Sequence, residues 1–139
     1  MGNKKITINI GSFKFEDMSL AVNRSDSELD FKTAFSFYIE NVGITTVELS
    51  RRSGISERTI RRYRNGNQGK EFKTIIALCI GLGLCLKRSL QLINLAGFSL
   101  IPTYEHDLYF AFLCNAYCSS LTIEDCNIIL VSNGYKPLV

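Results

Sequence analysis

The segment GISERTIRRYRNGN, Gly54 to Asn67, holds four arginines in seven residues, Arg58, Arg61, Arg62 and Arg64. A guanidinium is a planar fork of donors that keeps its charge near neutral pH. It suits bidentate bonding to paired acceptors, such as guanine O6 and N7 or the oxygens of a phosphate. Glu57, just ahead of the cluster, supplies an acceptor that cytosine N4 can satisfy. Ile55, Ile60 and Tyr63 interleave with the charges at spacings that predict burial.

A helical projection separates the two kinds of residue. With Glu57 at zero and about 100° per residue, Arg61 falls near 40°, Asn65 near 80°, Arg58 near 100° and Arg62 near 140°. Thr59, Tyr63 and Ile60 fall near 200°, 240° and 300°, and Arg64 lies at the border. One face is therefore polar and basic, and the other must be held by a core.

The elements that would hold it can be read outward from this segment. Thr45, followed three residues later by Glu48, predicts a capping box opening a short helix through Val47, Leu49 and Ser50 that ends at Gly54. Ser56 caps the basic helix, which reaches Asn65 with Gly66 as terminator. Ahead of this pair, Phe31, Ala34, Phe35, Tyr38 and Ile39 recur at three and four residues and predict a helix to about Val42, stopped by Gly43. Behind it, helices are expected from about Phe72 to Leu82, Leu86 to Ala96, Tyr104 to Cys118 and Ile123 to Asn133, the last capped by Thr122 and closed by Gly134. Before all of these, Ile6, Ile8 and Ile10 alternate up to Gly11-Ser12, and Phe13 and Phe15 alternate after it, which predicts a β-hairpin. Residues 21–30 read as a linker or a frayed helix start.

Composition limits what this arrangement can be. The 139 residues are 46% hydrophobic, enough to close one main core but too few for two comfortable domains. The net charge is only +3, yet Ile44 to Lys73 contains eight Lys or Arg against three acids. Five cysteines without a CxxC pair or a secretory h-region fit reduced thiols, and with no apolar run near the roughly 18 residues of a membrane span, a cytoplasmic protein is expected.

On these residues the chain resembles the Cro and lambda-repressor-like helix-turn-helix family, often called Xre-type. The resemblance covers about Phe31 to Leu100 and rests on ITTVELSRRSGISERTIRRYRNG followed by IIALCIGLGLCL. Leu49, Gly54, Ile55, Thr59, Ile60, Tyr63, Gly66 and Leu82-Gly83-Leu84 fall where that family places its scaffold. The implied fold is mainly α: a five-helix DNA-binding domain over residues 31–100, an N-terminal β-hairpin and linker over 1–30, and a helical pair over 101–139. The implied function is that of a transcriptional regulator, a repressor-like protein that occupies an operator in double-stranded DNA, as a homodimer, with helix 56–65 in the major groove.

Carried over by position, Glu57, Arg58 and Arg62 match residues that touch base edges, and Arg61 matches a base or phosphate contact. Thr46 matches a phosphate contact at the start of the second helix, and Asn65 and Asn67 match a second phosphate clamp. Lys70 and Lys73, near the start of the fourth helix, suit phosphate contacts on their own chemistry. Where the family usually has a glutamate before the Asn-Gly turn, this chain has Arg64, so the anchoring ion pair common in the family is expected to be missing.

Two features exceed what such a reader needs. Ile76 and Ile80 make a second apolar face on the fourth helix, and YEHDLYFAFLCNAYC is apolar nearly all round. Both call for a cover, either the C-terminal helices of the same chain or a second copy. A protein-interaction or antitoxin-like adaptor that uses the same fold without reading DNA is the alternative function. His106, Cys114 and Cys118 are loosely compatible with zinc, though packed thiols are the commoner outcome, so no metal or other cofactor is expected. His106, the one histidine, has no nucleophile and orienting acid around it, and there is no Gly-rich phosphate loop. No enzymatic activity is expected.

Overall fold

The computed structural model describes residues 29–66, 69–117 and 120–139. Within them the chain is mainly helical, with α1 Phe31–Val42, α2 Thr46–Ser53, α3 Glu57–Arg64, α4 Phe72–Leu82, α5 Leu86–Leu95, α6 Tyr104–Asn115 and α7 Ile123–Ser132. The expected hairpin Ile6 to Phe15 lies outside the described residues, as do Asn67 and Cys118. Among the described residues no helix is long and apolar enough to cross a membrane.

The caps form where short polar side chains precede apolar periodicity. Asp30, Thr45, Ser56, Thr103 and Thr122 each accept a bond from a backbone N–H in the first turn of the helix that follows. Such a cap contributes about 1 kcal/mol. At Thr122 the box is reciprocal, because Asp125 also accepts from the Thr122 N–H at 3.1 Å. At Thr45 only half of the expected box forms. Glu48 N–H donates to Thr45 Oγ1 at 3.0 Å, but the Glu48 carboxylate turns to Arg51 and Arg52 instead. Two guanidinium forks one turn away outcompete a single backbone donor.

α4 is the axis of the molecule. All of Ile75 to Leu82 is buried, including both residues of the second apolar face, Ile76 and Ile80. α1, α2, α5, α6 and α7 all pack on it. α6 and α7 contribute Tyr109, Phe112, Leu113, Cys126 and Leu130 to the same core as Phe35, Leu49 and Ile60. The cover that the sequence required is thus supplied, among the described residues, by the chain's own C-terminal helices. Phe72 in the first turn of α4 stacks near Phe98, His106 and Tyr109, with centroids 4.9 to 5.7 Å apart, which seats α6 on α4 through aromatic contacts.

α6 ends at Asn115, earlier than Cys118. The Asn115 side-chain amide donates to Ala111 O at 2.8 Å, a bond back into the last turn.

The crossing of α2 and α4 is unusually close. A Cβ built on Gly81 would sit 2.9 Å from Ser53 Cβ and 3.1 Å from the Ser53 backbone. Only a residue without a side chain allows this approach. Ser53 is fully buried and keeps its hydroxyl satisfied, donating to Leu49 O at 2.7 Å and accepting from Ile55 N–H at 3.1 Å. α2 is thereby locked to α4, and the tight link Gly54 to Ser56 leaves α3 little freedom to move away from α2.

Candidate nucleic-acid interface

The basic segment folds as α3 with its two kinds of residue on opposite sides. Ile60 and Tyr63 are 0% and 1% exposed, whereas Arg58, Arg61 and Arg62 lie on the surface. The helix has only eight residues, too few to persist alone in water. Its position is fixed from outside by three contacts. Phe31 of α1 meets the Tyr63 ring edge-on at 5.9 Å, the Tyr63 hydroxyl accepts from Glu71 N–H at 3.0 Å, and Ile60 is buried in the common core.

A fourth contact is an ion pair: Arg64 Nη2 lies 3.7 Å from Glu40 Oε2 of α1, which ties the end of α3 to α1 with the cation on α3. Glu40 is well exposed, so the pair orients more than it stabilises.

The four residues expected at base edges divide into two classes. Glu57 and Arg61 are bonded to each other across one turn, Arg61 Nη2 to Glu57 Oε1 at 2.8 Å. Arg58 and Arg62, also one turn apart, have no hydrogen-bonding or acidic partner among the described residues. Arg62 only rests over the edge of the Tyr63 ring, 5.9 Å from its centroid. The exposed face thus offers two unengaged guanidinium forks beside one self-paired couple.

The residues expected at phosphates are more scattered. Asn65 is the exposed C-cap of α3, and its N–H closes the helix on Arg61 O at 3.0 Å. Lys70 is half-buried, with Nζ 4.9 Å from the Phe31 centroid and 5.9 Å from that of Tyr63, which brings its charge close to the end of α3. Lys73, in the first turn of α4, donates to the Lys136 carbonyl at 3.5 Å. Thr46 is the first residue of α2.

Sequence reading passed over Gly81, Ser53 and Lys136. A glycine inside an otherwise strong helical pattern is a recognisable sign of close backbone approach. Nothing local marks Lys136, whose place depends on contacts 63 residues away in the chain.

Other chemistry is less well provided for. His106 Nδ1 accepts from Ile101 N–H at 3.0 Å and the ring packs on Phe72 and Tyr109, so the imidazole serves the fold. Burial raises the Cys114 thiol pKa and pushes that of Cys79 up to about 12, leaving both as protonated packing groups. Among the described residues no three His, Cys, Asp or Glu side chains are grouped to hold a metal ion. A cleft of about 740 Å³ lies between the end of α2 and the C-terminal helices, walled by Arg51, Arg52, Ile80, Leu121 and Val139, and none of the α3 arginines reaches it.

Comparison with protein-family models, with curated proteins and with solved structures finds no match to this chain.

Proposed function

We propose that the chain is a sequence-specific, DNA-binding transcriptional regulator of the helix-turn-helix kind, with α2 as the bracing helix and α3 in the major groove. The observation that carries this reading is the division of α3: Ile60 and Tyr63 are sealed in the core while Arg58 and Arg62 project from the opposite face with no hydrogen-bonding or acidic partner among the described residues. A buried anchor with two pre-set, unengaged forks is what bidentate reading of guanine requires. Arg58 and Arg62 are the base readers, and the Glu57–Arg61 couple reads by exchanging its internal bond for base or phosphate contacts. Thr46, Asn65, Lys70 and Lys73, with Asn67, hold the backbone and set register rather than sequence.

The proposal includes occupancy of an operator as a homodimer, which would set the two α3 helices about 34 Å apart. The inner faces of α6 and α7 are used within the chain, so a second copy would meet outer residues such as Ile128 and Val131, which are 65% and 58% exposed one turn apart.

Selection of bound sequences from random duplexes tests the reading. The expected outcome is enrichment of G-containing sites and an affinity that falls with salt. Binding that ignores both sequence and salt, or none at all, would sink it. Sedimentation of the full chain at micromolar concentration tests the dimer, and a monomer there removes that part alone.

A further inference from the structure

The segment that follows α7 does not trail into solvent. Tyr135 N–H donates to Leu130 O at 2.9 Å, Leu138 is 6% exposed, and its N–H donates to Asn127 Oδ1 at 2.8 Å. The same Asn127 amide donates through Nδ2 to Val139 O at 3.2 Å. Val139 in turn lies against the turn between α2 and α3, its Cγ2 3.1 Å from where a Gly54 Cβ would be. Residues 135–139 thus form a strap pinned at Leu130, Asn127 and Gly54, which passes the first turn of α4 at Lys136.

The strap carries one charged side chain, Lys136, which is exposed. Its backbone carbonyl accepts from Lys73 Nζ at 3.5 Å, so the Lys73 side chain reaches the main chain of Lys136 although the two are 63 residues apart in sequence. Neither ammonium has an acidic partner among the described residues. Two cationic side chains rooted at one contact with no acid beside them make a positive patch that an anion can neutralise. Lys73 is already one of the phosphate contacts of the proposed interface.

From this juxtaposition we infer that Lys136 is part of the DNA footprint. The strap places it at Lys73, and the two lysines together grip the phosphate backbone at the start of α4. This rests on the DNA-binding reading given above and extends it to the C-terminal segment, which nothing in the basic segment of residues 44–73 announces. Asn127 acts as a positioning residue, because it holds the strap without touching the nucleic acid.

The experiment is a salt titration of binding to the selected duplex by the full chain and by Lys136→Gln, Lys136→Arg, Lys73→Gln and Asn127→Ala, with melting temperatures measured alongside. Removing one phosphate contact lowers the slope of log K against log salt by about one unit. Lys136→Gln should show that drop at unchanged melting temperature, Lys136→Arg should retain the full slope, and Lys73→Gln should fall by a similar amount. Asn127→Ala removes no charge, yet it should lower the slope as well, because the freed strap no longer holds Lys136 in place. A full slope in Lys136→Gln, while Lys73→Gln falls, overturns the inference and leaves the DNA reading standing. A full slope in folded Asn127→Ala overturns the positioning role. If the unaltered chain binds no duplex in a salt-dependent way, the reading itself fails and takes the inference with it.

Discussion

α3 and α4 are neighbours in the chain and opposites in construction. α3 has two buried residues in eight, and its position comes from Phe31, Glu40 and Glu71 outside it. α4 has eight consecutive buried residues and touches five other helices. The helix proposed to meet DNA puts only two side chains into the core, whereas α4 is buried from Ile75 to its end and leaves only its first turn open. Binding chemistry can therefore be altered on α3 at little cost to folding, whereas α4 constrains the fold at almost every position.

Leu78→Ala attacks the α4 side of that contrast. It removes a fully buried side chain from the axis and should lower stability by about 2 to 5 kcal/mol. Chemical denaturation would read this as a lower midpoint at unchanged slope. A loss under about 1 kcal/mol would mean that α4 is less central than its burial implies.

On the α3 side, Arg58→Ala or Arg62→Ala should cost about 1 to 3 kcal/mol in binding to the preferred duplex and flatten the preference for one base pair. The melting temperature should stay within a degree or two, since neither guanidinium has a hydrogen-bonding or acidic partner among the described residues and Arg62 loses only a 5.9 Å contact with the Tyr63 ring. An equal loss on all sequences would reassign the residue to phosphate.

Gly81→Ala lies between the two regions. A methyl group there meets the Ser53 backbone at 3.1 Å, so α2 and α4 must part, at a cost of about 1 to 3 kcal/mol. The higher helix propensity of alanine offsets up to about 1 kcal/mol of this. Because α3 follows α2, duplex affinity should fall together with stability, and a stable variant with full affinity would show that the crossing tolerates widening.

The smallest effect concerns Glu48. Bonds from Arg51 and then Arg52 hold its carboxyl down to about 2, from an ordinary value of 4.5. A depressed carboxyl stabilises the fold above its unfolded value and loses that contribution as pH falls through the folded one. Melting temperature should therefore decline between pH 4.5 and 2 more steeply in the parent than in Glu48→Gln. The group is solvent-exposed, so 0.5 M salt should shrink the difference, as about 4 Å of screening length implies. Identical profiles would mean that the arginines do not hold the carboxylate in solution.

The start of each helix, and most of the ends, were legible because their signals are local. Thr45, Ser56 and Thr122 start helices and Gly43, Gly54 and Gly134 follow their ends, since caps and left-handed glycines act within a turn. The basic face of α3 was equally readable, because its angles follow from helix period alone. Long-range pairing was not. Period shows that Ile76 and Ile80 need a cover, but not that α6 and α7 provide it, and it says nothing of Tyr38 bonding Gln91 or of Asn127 pinning Leu138. Local competition explains a further miss: Glu48 prefers two arginines to its cap.

The burial of α4 on every side also bears on the order in which the chain is made. Ribosomes extend a chain at about 5 to 20 residues per second, so α4 is complete some seconds before α6 and α7 exist. During that interval Ile80, which later shares its surroundings with Ala116, Leu121 and Ile123, has only the earlier helices around it. Until α6 and α7 emerge, that side chain lacks the cover they give it in the finished fold, and slower translation across residues 83–121 lengthens the interval.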